Sequence, residues 1–400
     1  PFLYYPHDIQ LYPFGTEEVL TMANKDRNRP NIMVILTDDQ GYWAMGCAGN
    51  TEMRTPHLDR LAASGIRFED FFCASPVCSP ARASLLTGRI PSQHGVHDWI
   101  RAGNCRSELE KGGRLIEYLE GMIGYTDILA ANGYICGLSG KWHMGDSHHP
   151  QKSFTFWETH ARGGGPYYNA PMIHDGKEYS APGYVTDIIT DNALRFLRER
   201  YQDDRPFYLS VHYTAPHSPW DREHHPKELY DDYYNHCPFK STPDVPMHPW
   251  QVSSAPYGDA ENRRPILSGY FAAVTAMDAN VGRLLDDLEA HGLRENTLIF
   301  FTSDNGMNMG HHGIYGKGNG TFPQNMYDTS VKVPAIISRP GHVPQGVVNN
   351  DLLSHYDWMP TLLDYLGLKN PEANKLPGHS FAHLLRGESG QSREEIVIYD

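Results

Sequence analysis

Short runs of apolar residues alternate along the chain with segments whose apolar positions recur at helical spacing. Residues 31–36 form a continuous apolar run, which is typical of a strand covered on both faces. Further strands are predicted at 66–72, 134–138, 207–213, 297–301 and 334–337. Helices are predicted at 56–63, 125–131, 185–200, 266–290 and 357–366. This alternation predicts an α/β fold with a large mixed, mostly parallel sheet sandwiched between helices.

Two long stretches show neither strand nor helix periodicity. Residues 146–183 are rich in His, Gly and Pro, and residues 218–262 are rich in Pro, His and Tyr. Long loops of this kind commonly shape the mouth of a pocket. We therefore expect both stretches to be irregular and to border a functional site.

The two ends of the chain differ from its middle. Residues 1–21 are rich in Tyr and Pro and precede Met22, so they read as an extension of the compact chain. Residues 22–388 are expected to form one large domain. The alternation at 395–399 predicts a strand, which makes 389–400 the expected start of a small antiparallel C-terminal subdomain.

The overall charge narrows the range of partners. With 34 basic and 48 acidic residues the formal charge is −14, which argues against nucleic acid as a partner. No run of 18 apolar residues is present, so no membrane span is predicted. A signal-peptide pattern is also missing, which favours a cytoplasmic location, or a periplasmic or secreted one if the N-terminus was processed. The six cysteines contain no Cys-x-x-Cys pair, so a zinc knuckle is not predicted.

Polar clusters follow four of the predicted strands. In open α/β sheets, functional sites lie at the carboxyl ends of the strands, so these clusters are expected to meet at one rim. The four clusters are Asp38 with Asp39, Lys141 with His143, His217, and Asp304 with Asn305.

The acidic members of these clusters suggest a metal site. Asp38, Asp39, Asp304 and Asn305 offer oxygen ligands without His, a set that suits Ca²⁺ or Mg²⁺ rather than zinc. Each pair alone is also a common turn sequence. Two such pairs, each following an apolar strand, favour the metal interpretation.

Basic side chains and a cysteine complete the candidate chemistry. Lys141, His143 and Lys317 are suited to clamping a small tetrahedral anion against an acidic metal site. Cys78 opens a Cys-x-Pro-x-Arg sequence that ends at Arg82. A thiol beside a guanidinium near a helix start can be an activated nucleophile, although an isolated motif of this kind is more often a buried cysteine before a helix.

The sequence from Cys78 to Arg89, CSPARASLLTGR, closely resembles the signature of type I sulfatases of the alkaline phosphatase superfamily. Further motifs of that family are matched in order over roughly residues 30–385. They are DDQG at 38–41, GKWHMG at 140–145, APH at 215–217, SDNG at 303–306, and His312 and Lys317. One departure is Ala81, where many members have Ser.

The resemblance implies a modified nucleophile and a bound cation. Cys78 would be oxidised to formylglycine by a formylglycine-generating enzyme, which is thus an expected partner during maturation. One divalent cation, Ca²⁺ in preference to Mg²⁺, would bind the metal-ligand set. That set is Asp38, Asp39, residue 78, Asp304 and Asn305.

The resemblance also implies a role for each remaining residue. A hydroxyl of the hydrated aldehyde at position 78 would attack sulfur with Asp304 as base, and His217 would protonate the leaving oxygen. His143 would remove the proton from the second hydroxyl, which expels sulfate. Lys141 and Lys317 would neutralise the sulfuryl oxygens. Arg82 would orient residue 78, and the substrate-binding residues would be Lys141, His217, His312 and Lys317.

The implied function is a sulfuric ester hydrolase that releases inorganic sulfate, with residues 22–388 as its catalytic domain. Two alternatives remain: a phosphonate or phosphate ester hydrolase on the same scaffold, and a catalytically silent glycan-binding relative. Aromatic and polar residues of the loops favour a carbohydrate sulfate over an aryl sulfate. The candidate sugar contacts are Trp99, Arg101, His174, Trp220 and His312.

Overall fold

The structure is a computed structural model that describes residues 29–100 and 116–400. The predicted extension at 1–21 and the candidate contact Arg101 lie outside this part of the chain. The described strands are β1 (Asn31–Thr37), β2 (Ile66–Phe68), β3 (Phe71–Phe72), β4 (Ile135–Lys141), β5 (Phe156–His160), β6 (Tyr168–His174), β7 (Lys177–Tyr184), β8 (Phe207–His212), β9 (Thr297–Ser303), β10 (Asn308–Met309), β11 (Tyr315–Gly316), β12 (Ala335–Ser338), β13 (Val347–Asn349) and β14 (Leu353–Ser354).

Ten of these strands form one sheet in the order β13-β2-β12-β9-β1-β8-β4-β5-β6-β7. The central strands β9, β1, β8 and β4 are mutually parallel. Leu36 of β1 pairs with His212 of β8 and with Thr302 of β9, and Gly140 of β4 also pairs with His212. The carboxyl ends of all four strands therefore meet at one rim, as predicted.

Helices cover both faces of the sheet, which confirms the predicted α/β sandwich. They are α1 (Pro56–Ala63), α2 (Cys78–Thr87), α3 (Pro91–His94), α4 (Tyr125–Ala131), α5 (Val185–Arg200), α6 (Lys227–His236), α7 (Arg263–Ala290), α8 (Asp328–Val331), α9 (Trp358–Tyr365) and α10 (Ala382–Leu385). Side chains of β1 alternate between two apolar cores: Met33 and Ile35 join the core with α5 and α7, whereas Val34 joins the core with α2, α4 and α9. Within the described ranges, no helix is long and apolar enough to cross a membrane.

Two predicted loops contain regular structure. Residues 146–183 hold β5, β6 and nearly all of β7, so the irregular loop predicted there is wrong. Asp175 and Gly176 have φ of 48° and 71°, which is the left-handed conformation of a tight hairpin turn. Most of β7 is exposed at the sheet edge, and its sequence therefore lacks the apolar alternation that predicts strands. Similarly, α6 lies within the predicted loop at 218–262.

Two predicted strands also differ from the structure. The strand predicted at 66–72 is divided into β2 and β3. Residues 395–399 form no strand, although Val397 N donates to the Tyr356 hydroxyl at 3.0 Å and Tyr399 N donates to Ala74 O at 2.8 Å. Their alternation reflects contact with the body of the domain. A C-terminal subdomain beginning at 389 stays a prediction.

Asp278 on α7 fixes the start of α1. Its buried carboxyl accepts hydrogen bonds from His57 N at 3.2 Å and Leu58 N at 2.8 Å. Removing both acceptors by Asp278→Ala is expected to lower the free energy of unfolding by about 1–2 kcal/mol.

Burial raises the pKa of Asp278 from 3.8 to about 7, so its contribution to stability decreases as the pH rises through this window. Asp278→Asn should remove that decrease, which denaturant unfolding at pH 5 and pH 8 would measure; an unchanged pH dependence would contradict this account.

Candidate active site

Cys78 is held at the rim by the start of α2. Val77 precedes the helix in an extended conformation, Gly88 ends it in the left-handed conformation, and every residue of α2 is buried. The Cys78 thiol donates to Asp38 Oδ1 at 3.4 Å, and Lys317 Nζ lies 2.7 Å from Cys78 Sγ. The structure therefore brings the cysteine of the signature directly onto the first polar cluster.

The acidic residues around Cys78 form a group that could hold a metal ion. One ligand atom each from Asp38, Asp39, Cys78 and Asp304 lie within 4.8 Å of one another, and all four residues are buried. Asn305 Nδ2 donates to Asp39 Oδ1 at 2.8 Å, whereas Asn305 Oδ1 is buried without a hydrogen-bond partner. A buried carbonyl oxygen without a partner is costly, so its position beside three carboxylates fits a hard divalent cation.

Three buried cations face the three carboxylates. Lys141 contacts Asp38, and Lys317 Nζ lies 2.5 Å from Asp39 Oδ1. Arg82 Nε donates to Asp304 Oδ2 at 2.9 Å, and its Nη1 donates to the Lys141 carbonyl at 3.1 Å. Each of the two lysines and the arginine therefore has a carboxylate partner in the cluster.

The electrostatic environment differs among the acidic groups. Burial, followed by repulsion from Asp304, raises the pKa of Asp38. Burial opposes ionisation of Asp304 as well, but Arg82 and then Lys141 hold its pKa below the ordinary value. Burial and Asp38 raise the pKa of the Cys78 thiol to about 12. The unmodified thiol is therefore protonated near neutral pH and is a poor nucleophile.

Two histidines lie at the same rim. His143 Nε2 lies 3.3 Å from Ile100 O, and its buried Nδ1 has no hydrogen-bond partner. Burial and Lys141 hold the pKa of His143 well below its ordinary value, so the ring is neutral. His217 Nε2 lies 3.6 Å from Asp39 Oδ2, and its side chain is 26% exposed. His143 is thus a buried ring with one unpartnered nitrogen, whereas His217 is partly exposed beside Asp39.

The backbone of Gly163 and Gly164 lies against the rings of both histidines. The sequence pattern did not identify this pair as part of the site. A Cβ atom on Gly163 would lie 2.5 Å from His143 Cε1, and one on Gly164 would lie 2.9 Å from His217 Cε1. The signal was present as three consecutive glycines at 163–165, but these fell within the stretch predicted as an irregular loop. Only a residue without a side chain lets the backbone approach these rings so closely.

Gly164→Ala is expected to displace the His217 ring and to lower kcat by about 10- to 100-fold, because catalytic groups tolerate little misplacement. Global stability should change little, since the loop is partly exposed. Steady-state kinetics and thermal unfolding would measure both effects. Gly124→Ala is the control, because its added methyl group would contact Leu86 and neither histidine. Equal kcat values for Gly164→Ala and wild type would contradict the assignment.

The predicted sugar contacts lie in environments that differ from one residue to the next. Trp220 is buried and donates from Nε1 to Pro216 O at 2.8 Å, so it is a structural residue rather than a sugar contact. His174 lies on β6, outside the central strands, where its Nδ1 is 2.6 Å from Glu158 Oε1. His312 is exposed and stacks on Tyr327. Trp99 is 47% exposed, and no described contact joins it to the cluster.

The chain is similar to known proteins in sequence and in fold. The sulfatase family profile matches residues 30–368. The N-acetylglucosamine-6-O-sulfatase of Bacteroides thetaiotaomicron is 28% identical over 449 residues, covering 94% of this chain and 75% of that protein. The ulvan-active sulfatase of Formosa agariphila is 30% identical over 398 residues, covering 96% and 70%. A solved structure in complex with D-glucosamine-2-N,6-O-disulfate has a TM-score of 0.75 and 25% identity, covering 92% of this chain and 82% of that one.

The chain belongs to the sulfatase family, and the family match together with the named sulfatase relatives indicates a hydrolase of sulfuric esters. The resemblance to type I sulfatases drawn from the signature at 78–89 is confirmed.

Proposed function

We propose that this sulfatase releases inorganic sulfate from a sulfated carbohydrate and that Cys78 is the precursor of its nucleophile. The observation that carries the proposal is the position of Cys78. Its thiol contacts Asp38 and Lys317 inside the cluster. The negatively charged oxygens of a sulfate ester bound there would meet two lysines and an arginine. The protonated thiol itself is unsuited to the reaction, which supports its replacement by another group.

Two groups would complete the site. Conversion of Cys78 to formylglycine would supply a hydrated aldehyde, with two hydroxyls on one carbon. A divalent cation held by Asp38, Asp39, Asp304, Asn305 and residue 78 would supply positive charge near the sulfuryl oxygens. Ca²⁺ is favoured over Mg²⁺, because the donor set is rich in oxygen and supplied entirely by the protein.

The buried basic residues are proposed to bind the sulfuryl oxygens and to orient the Asp304 carboxylate. Lys141 ends β4 and Lys317 follows β11, and both ammonium groups contact carboxylates of the cluster. The two lysines are therefore suited to holding the sulfuryl oxygens. Arg82 keeps Asp304 ionised and fixes the orientation of its carboxylate. Losing one such electrostatic contact typically costs about 10²–10³ in rate.

We propose three groups for the proton transfers. Asp304 is proposed to accept the proton of the nucleophile at position 78. His217 Nε2 is proposed to donate to the leaving oxygen, since this ring is partly exposed beside Asp39 of the cluster. The unpartnered Nδ1 of His143 is proposed to accept the proton that is lost when sulfate departs.

The carbohydrate class is supported by the relatives. Their names state action on N-acetylglucosamine 6-O-sulfate and on ulvan, and the similar solved structure holds a disulfated glucosamine. His312, an exposed ring near Lys317 in the sequence, is retained as a proposed substrate contact.

A substrate panel would test the proposal. N-acetylglucosamine 6-sulfate, N-acetylgalactosamine 6-sulfate, ulvan and carrageenan oligosaccharides would be compared with 4-nitrophenyl sulfate and a phenyl phosphonate monoester. Sulfate release would be measured by ion chromatography, and phosphonate cleavage by phenol release. We expect the highest kcat/KM on one of the saccharides. A preference for the phosphonate would overturn the sulfate assignment, and a preference for 4-nitrophenyl sulfate would overturn the carbohydrate assignment.

A further inference from the structure

A row of four aromatic rings lies on the surface near the catalytic cluster. We name this row, Trp250, His248, Tyr327 and His312, the aromatic ledge. Its successive ring centroids are 5.8, 6.2 and 3.9 Å apart. Except for His312, none of these residues has a role in the proposed reaction.

The ledge belongs to an exposed apolar surface. Trp250 and the neighbouring Met247 are each 59% exposed, and Phe322 is 79% exposed. Phe322 adjoins the ledge, because its N donates to Trp250 O at 3.1 Å. Exposed apolar residues grouped in this way mark interaction surfaces in soluble proteins.

The ledge is connected to the catalytic cluster through residues 317–327. Lys317, whose Nζ lies 2.7 Å from Cys78 Sγ, begins the segment that leads to Phe322 and Tyr327. Asn325 Nδ2 in this segment donates to Lys317 O at 3.0 Å and so ties it to the catalytic lysine. A molecule lying on the ledge would therefore lie beside the segment that begins at the catalytic lysine.

The ledge is also held in place. His248 N donates to Gly313 O at 2.9 Å, and the Gln251 side chain bonds to both N and O of Tyr315 at 3.0 Å. His312 has φ of 58°, a conformation that is costly for a residue with a side chain and persists where the surroundings enforce it. Its ring lies parallel to that of Tyr327, at 11°. Rings fixed in advance lose little entropy when they bind a ligand.

We propose that the aromatic ledge binds sugar rings of the substrate chain beyond the one whose sulfate is hydrolysed. The inference rests on the proposed carbohydrate substrate and names its size: an oligosaccharide or polysaccharide. Ring faces suit the apolar faces of sugars, and the imidazoles of His248 and His312 add hydrogen-bonding groups. None of the four rings carries a negative charge, so an anionic chain meets no repulsion from them although the protein has a charge of −14.

Trp250→Ala in the ledge, Phe322→Ala beside it, and the double variant would test the proposal by two measurements. Affinity gel electrophoresis would measure retardation by carrageenan, ulvan, chondroitin sulfate and heparin. Kinetics would give the ratio of kcat/KM for an oligosaccharide to kcat/KM for 4-nitrophenyl sulfate. Val348→Ala, an exposed apolar residue on β13, is the control and should match wild type in both.

We expect at least one polysaccharide to retard wild type, and each single variant to weaken this binding by about five- to tenfold. The kinetic ratio should fall by a similar factor. Retardation by none of the four, or equal retardation of wild type and the double variant, would overturn the proposal. Conversion of a wild-type dimer to a monomer by Trp250→Ala, with binding unchanged, would assign the surface to a second copy and also overturn it. Because binding is measured without turnover, this result is separate from any failure of the proposed reaction.

Discussion

Cys78→Ala is expected to abolish sulfate release, with a loss of about 10⁴–10⁶ in kcat, because the variant has no precursor for a covalent nucleophile. The fold should persist, since alanine fits the first position of α2. The variant loses the thiol contacts to Asp38 and Lys317, but Lys317 keeps its ion pair with Asp39. Sulfate release on the preferred substrate of the panel would measure the loss. Circular dichroism and thermal unfolding would establish that the variant is folded.

Cys136→Ala is the matched control for this variant. Cys136 is also a buried free cysteine, but it lies within β4, where its thiol faces the Thr126 carbonyl at 3.7 Å. Its loss should leave kcat unchanged and lower stability modestly. A Cys78→Ala protein that retains a tenth or more of wild-type kcat would show that residue 78 is not the nucleophile.

Asp304→Asn is expected to lower kcat by about 10³-fold and the free energy of unfolding by about 3–5 kcal/mol, because Arg82 would be left buried without a charged partner. Both side chains of the Arg82–Asp304 pair are fully buried, so solvent cannot compensate. Kinetics and urea unfolding would measure the two effects on the same preparation. Both effects follow from one substitution because Asp304 is at once a proposed proton acceptor, a proposed metal ligand and the partner of Arg82.

The control for Asp304→Asn is Asp232→Asn. Asp232 also pairs with an arginine, Arg54 at 2.6 Å, but both side chains are nearly half exposed. Exposed pairs contribute about 0–1 kcal/mol, so stability and kcat should stay close to those of wild type. Equal stability of the Asp304→Asn and Asp232→Asn proteins would contradict the role assigned to the buried pair.

The sequence is most informative where backbone topology dictates the site. Strongly apolar strands are recognisable from local composition, and the polar residues that follow them must lie at the rim of a parallel sheet. The strand pattern alone therefore predicts correctly that Asp38, Lys141, His217 and Asp304 lie together. Lys317 and Cys78 follow no central strand, so the strand pattern does not place them in the cluster. The chemistry of an anion clamp suggests Lys317, and the motif resemblance connects both residues to the cluster.

Other features depend on contacts that a local pattern does not record. The hairpin of β6 and β7 lies at the sheet edge and exposes polar side chains, so its sequence resembles a loop. Trp220 resembles a sugar contact because the pattern does not distinguish a buried ring from an exposed one. The glycines at 163–165 indicate freedom of the backbone, but their closeness to two histidines arises only when distant segments fold together.

The residue made from Cys78, rather than the cysteine itself, is proposed to perform the reaction. The most direct measurement is the mass of the tryptic peptide ending at Arg82, taken from protein produced with a formylglycine-generating enzyme, together with the sulfate-releasing activity of the same sample. We predict that activity rises in proportion to the fraction of peptide carrying the aldehyde or its hydrate. Full activity in a sample whose residue 78 is entirely unmodified cysteine would contradict the account.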